Sequence, residues 1–249
     1  MLDSKMTINI LTTDGPQYDY LIHKLESNYN IGIVIREKGK YQREKLLRQK
    51  KYKRYFYNRY QNLFKKVFGF SKLRRKYFSF RGPIKSKIVD VKSINSNETK
   101  QLIKKNICAL YVVMGTSILS QQTIEICSVP IINIHGGYLP YYRGNNCVFF
   151  AYYNSDFNKI ANTIHFVDCG IDTGNIIKIV KPHIEANDNP EILYCKAKKM
   201  AVDELVILID YFIKNGYLQS IPQNKDIGHT YKTEDRTPLT DIKCFLKRF

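Results

Sequence analysis

The stretch Ile132-Asn133-Ile134-His135-Gly136-Gly137-Tyr138-Leu139-Pro140-Tyr141-Tyr142-Arg143-Gly144 decides how the chain is read. It opens as an apolar, β-branched run and breaks into a loop of glycines and a proline, which marks the end of a buried strand. Asn133 and His135 stand two residues apart, so a strand projects both side chains to one face. In an open parallel sheet the carboxyl end of a strand is where ligands sit. Two polar groups able to do chemistry therefore fall where a site is expected.

Outward from this run, apolar strand patterns alternate with helical ones. Strands are expected at Thr7–Thr12, Ile31–Ile35, Ala109–Met114, Ile131–Ile134, Asn162–Val167 and Asn175–Val180, and helices at Tyr18–Glu26, Glu98–Asn106, Ser120–Cys127 and Cys147–Tyr153. Asn189-Pro190 opens a longer helix that runs to about Asn215 and stops at Gly216, with Leu193, Ala197, Met200, Ala201, Leu205, Leu208, Ile209 and Phe212 inward. The alternation predicts an α/β fold: a Rossmann-like, open, mostly parallel sheet with helices on both faces. The 33 residues after Gly216 are too few for a second core, so residues 1–216 read as one domain and 217–249 as a tail. Thr12-Thr13-Asp14-Gly15-Pro16 lacks the three-glycine fingerprint of a dinucleotide site.

The chain of 249 residues carries 40 Lys and Arg against 22 Asp and Glu, a formal charge of +18. All of it lies in one place. Between Arg36 and Lys87 there are 20 bases and two acids, Glu37 and Glu44, and twelve of the 32 Phe and Tyr. This basic, aromatic insert follows the second strand. Within it Tyr52, Phe56, Tyr60, Phe64, Val67 and Phe68 recur at helical spacing, which predicts an amphipathic helix with an aromatic and a basic face. No apolar run approaches ~18 residues, which excludes a spanning helix, and Met1-Leu2-Asp3-Ser4-Lys5 does not read as a secretory signal. The six cysteines, Cys108, Cys127, Cys147, Cys169, Cys195 and Cys244, form no Cys-x-x-Cys pair. They are expected to be reduced and buried in a cytoplasmic protein with no metal site.

A second strand end, His165-Phe166-Val167-Asp168-Cys169-Gly170-Ile171-Asp172-Thr173-Gly174, offers a carboxylate to the same site. Asn and His can both donate to an oxygen that becomes negative, while a carboxylate orients the His and moves protons. The set suits attack of an amine on a carbonyl. No Ser or Cys adjoins the His as a nucleophile motif, so direct transfer is expected.

Asn133-x-His135, Leu139-Pro140, Gly144, then His165, Asp172 and Gly174, with Gly115-Thr116-Ser117-Ile118-Leu119 upstream, resemble the formyltransferases that use 10-formyltetrahydrofolate. The resemblance implies that Asn133, His135 and Asp172 are catalytic, with His135 protonated as the oxyanion forms. It implies that Gly115, Thr116, Ser117, Leu119, Asp168, Gly170 and Ile171 hold the folate co-substrate. Gly136-Gly137 departs from the Pro-Ser found in many members, and suggests an acceptor pocket with smaller, more adaptable walls.

Tyr141, Tyr142, Arg143, Gly144 and Asn145, with the tail from His229, look most like nucleotide-sugar N-formyltransferases. The implied acceptor is a nucleoside-diphosphate amino-deoxy sugar, such as a 4-amino-4,6-dideoxyhexose of surface polysaccharide (O-antigen) biosynthesis. Arg143 is placed either on that diphosphate or as a loop anchor. Alternatives are a ribonucleotide or methionyl-tRNA acceptor, or an inactive core whose insert binds nucleic acid, the less favoured partner, or an anionic membrane through residues 36–87. A homodimer is left open. The insert itself has three readings: it helps hold an acidic acceptor, docks at a membrane, or packs its aromatics.

Overall fold

The computed structural model describes residues 6–246, the side chain of Phe245 excepted. In chain order the elements are β1 (Thr7–Thr12), α1 (Pro16–Glu26), β2 (Asn30–Glu37), α2 (Gly39–Arg48), α3 (Tyr52–Val67), α4 (Phe70–Tyr77), β3 (Ile88–Val91), α5 (Asn97–Lys105) and β4 (Leu110–Met114). There follow α6 (Gln121–Cys127), β5 (Ile131–His135), β6 (Tyr142–Gly144), α7 (Cys147–Tyr153), β7 (Asn162–Phe166), β8 (Ile176–Val180), α8 (Pro190–Asn215), β9 (His229–Tyr231) and α9 (Pro238–Leu246). Seven strands form one mixed sheet in the order β3-β2-β1-β4-β5-β7-β8. The pairs from β3 to β5 are parallel, and β7 is antiparallel to both β5 and β8.

Strand alternation splits the core between the two faces. Ile8 and Ile10 of β1 pack with Leu21 of α1 and Leu205 and Ile209 of α8, while Leu11 packs with Ile33, Val113 and Ile103 of α5 on the other face. A third cluster joins Phe149 and Phe150 of α7 to Leu193 and Cys244. The cap of α8 is as the residues dictate: the Asn189 side chain accepts the N–H groups of Glu191 and Ile192 at 2.9 Å, and Gly216 ends the helix at φ 77°.

Five features differ from the sequence reading. Ile88–Val91 adds an edge strand after the insert. The insert is three helices, and its exposed side includes Tyr52, Phe56 and Val67 of the expected apolar stripe, at 52%, 66% and 69% exposure. Helical spacing defines a face but not what that face meets. Met200 of α8 is exposed, whereas Lys198, two residues earlier, is buried, because α8 touches a polar cavity as well as the core. Cys169 is exposed and Cys108 half-buried, and all six cysteines are free thiols. The tail folds back, with β9 pairing with β6.

Candidate active site

The antiparallel pairing of β5 with β7 sets His165 directly opposite Asn133. Nδ1 of His165 lies 2.7 Å from the Phe166 carbonyl oxygen, which only accepts, so Nδ1 carries the proton. Nε2 of His165 then accepts from the Asn133 amide at 3.1 Å. This contact fixes which way the Asn133 amide faces. Asp172, in the loop after β7, adopts a left-handed backbone at φ 54°. One oxygen of its carboxylate accepts the Gly144 N–H at 2.9 Å and stands 3.2 Å from Nδ1 of His135. The other is 3.6 Å from Nε2 of His165, too long for a hydrogen bond.

Nε2 of His135 lies 2.9 Å from the Tyr142 carbonyl oxygen. Both ring nitrogens therefore face acceptors, and only an imidazolium donates to both. Burial opposes that charge: it lowers the His135 pKa, with Asp172 pulling the other way. Desolvation by itself would raise the Asp172 pKa, but the nearby His135 and His165 rings and the Gly144 N–H hold it well below the ordinary value. At neutral pH the pair is thus a carboxylate beside a neutral imidazole, and a proton taken up by His135 completes its second hydrogen bond.

Gly137 is the glycine this arrangement demands. A Cβ there would sit 2.5 Å from the Tyr142 carbonyl oxygen and 2.6 Å from Nε2 of His135. The Gly136-Gly137 pair does not loosen the wall at 137; it lets the loop pass tightly against the histidine. Gly115 is the second such position, at φ 81° with the Tyr18 ring 2.4 Å from where its Cβ would lie.

These groups open on a cavity of about 840 Å³, within the usual range of roughly 300–1,000 Å³ for small-molecule sites. Its wall includes Asn133, His135 and Asp172, the loop residues Gly115, Thr116, Ser117, Leu119, Asp168, Gly170 and Ile171, and Gly144 and Asn145. The Ser117 N–H donates to the buried Glu37 carboxylate at 2.9 Å, bracing the first loop. Desolvation would raise the Asp168 pKa, but the Thr173 hydroxyl, the Gly170 amide and Lys225 hold it below its ordinary value. Tyr141, Tyr142 and Arg143 do not line the cavity. The buried Arg143 guanidinium donates to the Lys225 carbonyl at 3.1 Å and to that of Ile227, contacts of the kind a loop anchor makes. Tyr142 stacks on Tyr231 at 5.6 Å and gives its hydroxyl to Asp156. The Tyr231 stack and the Arg143 contacts fasten the tail.

Sequence reasoning missed part of the wall. His165 stood in the motif without a role. Lys198 and Tyr194 come from α8, and Arg54, Phe64, Lys65, Phe68, Phe70 and Arg74 from the insert. Their helical spacing gave no sign that this face meets a cavity.

Residues 9–209 match the formyl transferase family. The chain belongs to that family. Over 139 residues this formyl transferase is 33% identical to a methionyl-tRNA formyltransferase of Methylacidiphilum infernorum, a match covering 56% of this chain and 42% of that one. A second methionyl-tRNA formyltransferase, from Thermosynechococcus vestitus, is 34% identical over 120 residues, covering 48% and 35%. The matched part spans less than half the length of either relative. Among solved structures, a 4-N formyltransferase of Francisella tularensis aligns with 97% of this chain and 86% of its own at a TM-score of 0.61 and 20% identity. WlaRD, a sugar 3N-formyl transferase solved in the presence of dTDP and 5-N-formyl-THF, aligns with 93% and 72% at 0.57 and 19%. These likenesses establish the fold. Among the described residues no cluster of three metal-ligating side chains occurs, and no helix is long and apolar enough to cross a membrane.

Proposed function

We propose that this formyl transferase moves the formyl group of 10-formyltetrahydrofolate onto the amino group of a nucleotide-linked amino-deoxy sugar. The observation that carries the reading is the meeting of Asn133, His135 and Asp172 at the end of β5 in one cavity wall with the 115–119 and 168–171 loops. That wall suits a folate ring: apolar Val113, Met114 and Leu119 stand beside loop backbone rich in donors and acceptors.

In this reading the second N–H of the Asn133 amide, whose first is held by His165, meets the formyl oxygen as it gains charge. The neutral His135, on turning from the Tyr142 carbonyl, takes the proton that the attacking amine releases, with Asp172 stabilising the cation. The formyl carbon–N10 bond then breaks and the proton passes to the departing folate nitrogen. Cys147 also lines the cavity, but burial pushes its thiol well above the ordinary range, so it stays protonated and is a poor nucleophile. Direct transfer is favoured over a covalent intermediate. A nucleotide-linked sugar as acceptor is supported by the size of the cavity and by the solved relatives' names; the identity to methionyl-tRNA formyltransferases supports the second reading. The test is incubation with 10-formyltetrahydrofolate and a panel of nucleotide-linked amino sugars plus methionyl-tRNA, read by mass for one added formyl group. No formylated sugar from the panel refutes the acceptor class, and product only on methionyl-tRNA installs the alternative.

A further inference from the structure

The insert is fastened over the cavity. Phe78 at the end of α4 is 2% exposed and packs on Tyr20 of α1 at 5.9 Å. Arg74 of α4 is ion-paired to Glu191 at the start of α8. Gln61 of α3 donates to Asp241 of α9 at 2.5 Å, and Arg236 binds the other oxygen of that carboxylate at 2.7 Å. Two tied points on α3 and α4 thus hold one particular face of the insert against the cavity.

That face carries two kinds of group side by side. Phe64, Phe68 and Phe70 form an aromatic cluster, with ring centroids 4.5 Å apart for Phe64 and Phe68 and 6.1 Å for Phe64 and Phe70. Next to Phe64, Lys65 also lines the cavity. The cations around it are already neutralised, Arg74 by Glu191 and Arg236 by Asp241. Lys65 makes no ion pair or hydrogen bond among the described residues. Burial, with repulsion from Arg74 and Arg236 that attraction to Glu191 and Asp241 only partly offsets, brings it down to about 7. With no carboxylate in direct contact, the ammonium form of Lys65 is favoured by an incoming anion, and aromatic rings beside it give a nucleobase a surface to stack on. By contrast Lys53, Lys66 and Arg75 of the same helices are exposed.

We propose that the insert is the nucleotide-binding wall of this enzyme: Phe64, Phe68 and Phe70 receive the base of a nucleoside diphosphate and Lys65 its diphosphate. The inference rests on the nucleotide-sugar reading above and assigns the insert to it. Since a folate tail also brings aromatic rings and carboxylates, the experiment separates the two anions.

Calorimetric titration of the full chain with UDP, dTDP, GDP and CDP, and separately with 5-formyltetrahydrofolate, is run on wild type, Lys65→Met, Phe64→Leu and the exposed control Lys66→Met. Thermal melting confirms that each variant is folded. Lys65→Met is expected to weaken the preferred nucleoside diphosphate by roughly tenfold or more and Phe64→Leu by at least about fivefold, with Lys66→Met and all folate affinities unchanged. Nucleoside diphosphate affinity within twofold of wild type in Lys65→Met overturns the inference, and so does a selective loss of folate. If wild type binds the folate but none of the four nucleotides, the nucleotide-sugar reading falls with it. If Lys65→Met formylates a nucleotide sugar with unchanged KM, only the inference falls.

Discussion

Replacing Asp172 by Asn changes one charge and almost no volume. The Asn carbonyl oxygen keeps the Gly144 N–H at the 2.9 Å position, and its amide nitrogen stands 3.6 Å from Nε2 of His165, which carries no proton and already accepts from Asn133. No donor is forced against a donor, so the fold survives. The exchange trades a charge-assisted hydrogen bond for a neutral one, a loss of at most about 2 kcal/mol that relief of carboxylate burial offsets. For a chain of this length that is a Tm shift of no more than roughly 8 °C. Catalysis changes far more, because the carboxylate that stabilises the His135 cation created by proton uptake is gone. The expected result is a kcat lower by about 10²–10⁴-fold with acceptor KM little altered. Acid stability gives an independent readout. Asp172 titrates lower in the folded protein than in the unfolded chain, so its contribution is present above about pH 3.9 and lost as pH falls through the folded value. His135, also depressed by burial, removes stability as pH drops below about 6.5. The Asn variant should lose the Asp172 part and, with the upward pull on His135 gone, show a larger His135 part when Tm is followed from neutral to acid pH. A folded Asn variant with kcat within about tenfold of wild type would refute the reasoning.

Two further outcomes follow from the same geometry. Gly137→Ala places a methyl group 2.5 Å from the Tyr142 carbonyl oxygen, and the loop must shift at a cost of roughly 1–3 kcal/mol, read by thermal melting. Formyl transfer should fall with it because His135 loses its partner; wild-type activity in a folded Ala variant would mean that the Tyr142 contact is not needed. Arg143→Met strands the Lys225 and Ile227 carbonyls at about 1–3 kcal/mol and should make the segment from 217 onward protease-sensitive. A raised acceptor KM with unchanged proteolysis would instead return Arg143 to the substrate.

Charge and spacing in the insert left its destination open. Its +18 suggested nucleic acid or a membrane, and its aromatic stripe suggested packing. Tyr52 and Phe56 of that stripe are exposed, while Phe64 lines the cavity. A helix of this composition presents several faces of similar hydrophobicity, and what selects among them is a few distant bonds: Gln61 to Asp241, 180 positions later, and Arg74 to Glu191.

The strand-end pattern was decided by local chemistry. Ile131–His135 forms a strand because its side chains are β-branched and apolar, and period two then puts Asn133 and His135 on one face whatever surrounds them. The sheet class followed from the alternation of such strands with helices, and the Asn189 and Gly216 ends of α8 from caps that act within a turn. Only the tertiary structure decided which charges are bare. The neutral state of His135 depends on burial and on acceptors brought by Tyr142 and Asp172, and the exposure of Lys65 to a cavity depends on partners far along the chain claiming its neighbours. Backbone preferences act over a few residues and can be read from them; electrostatic environment is a sum over everything folded nearby.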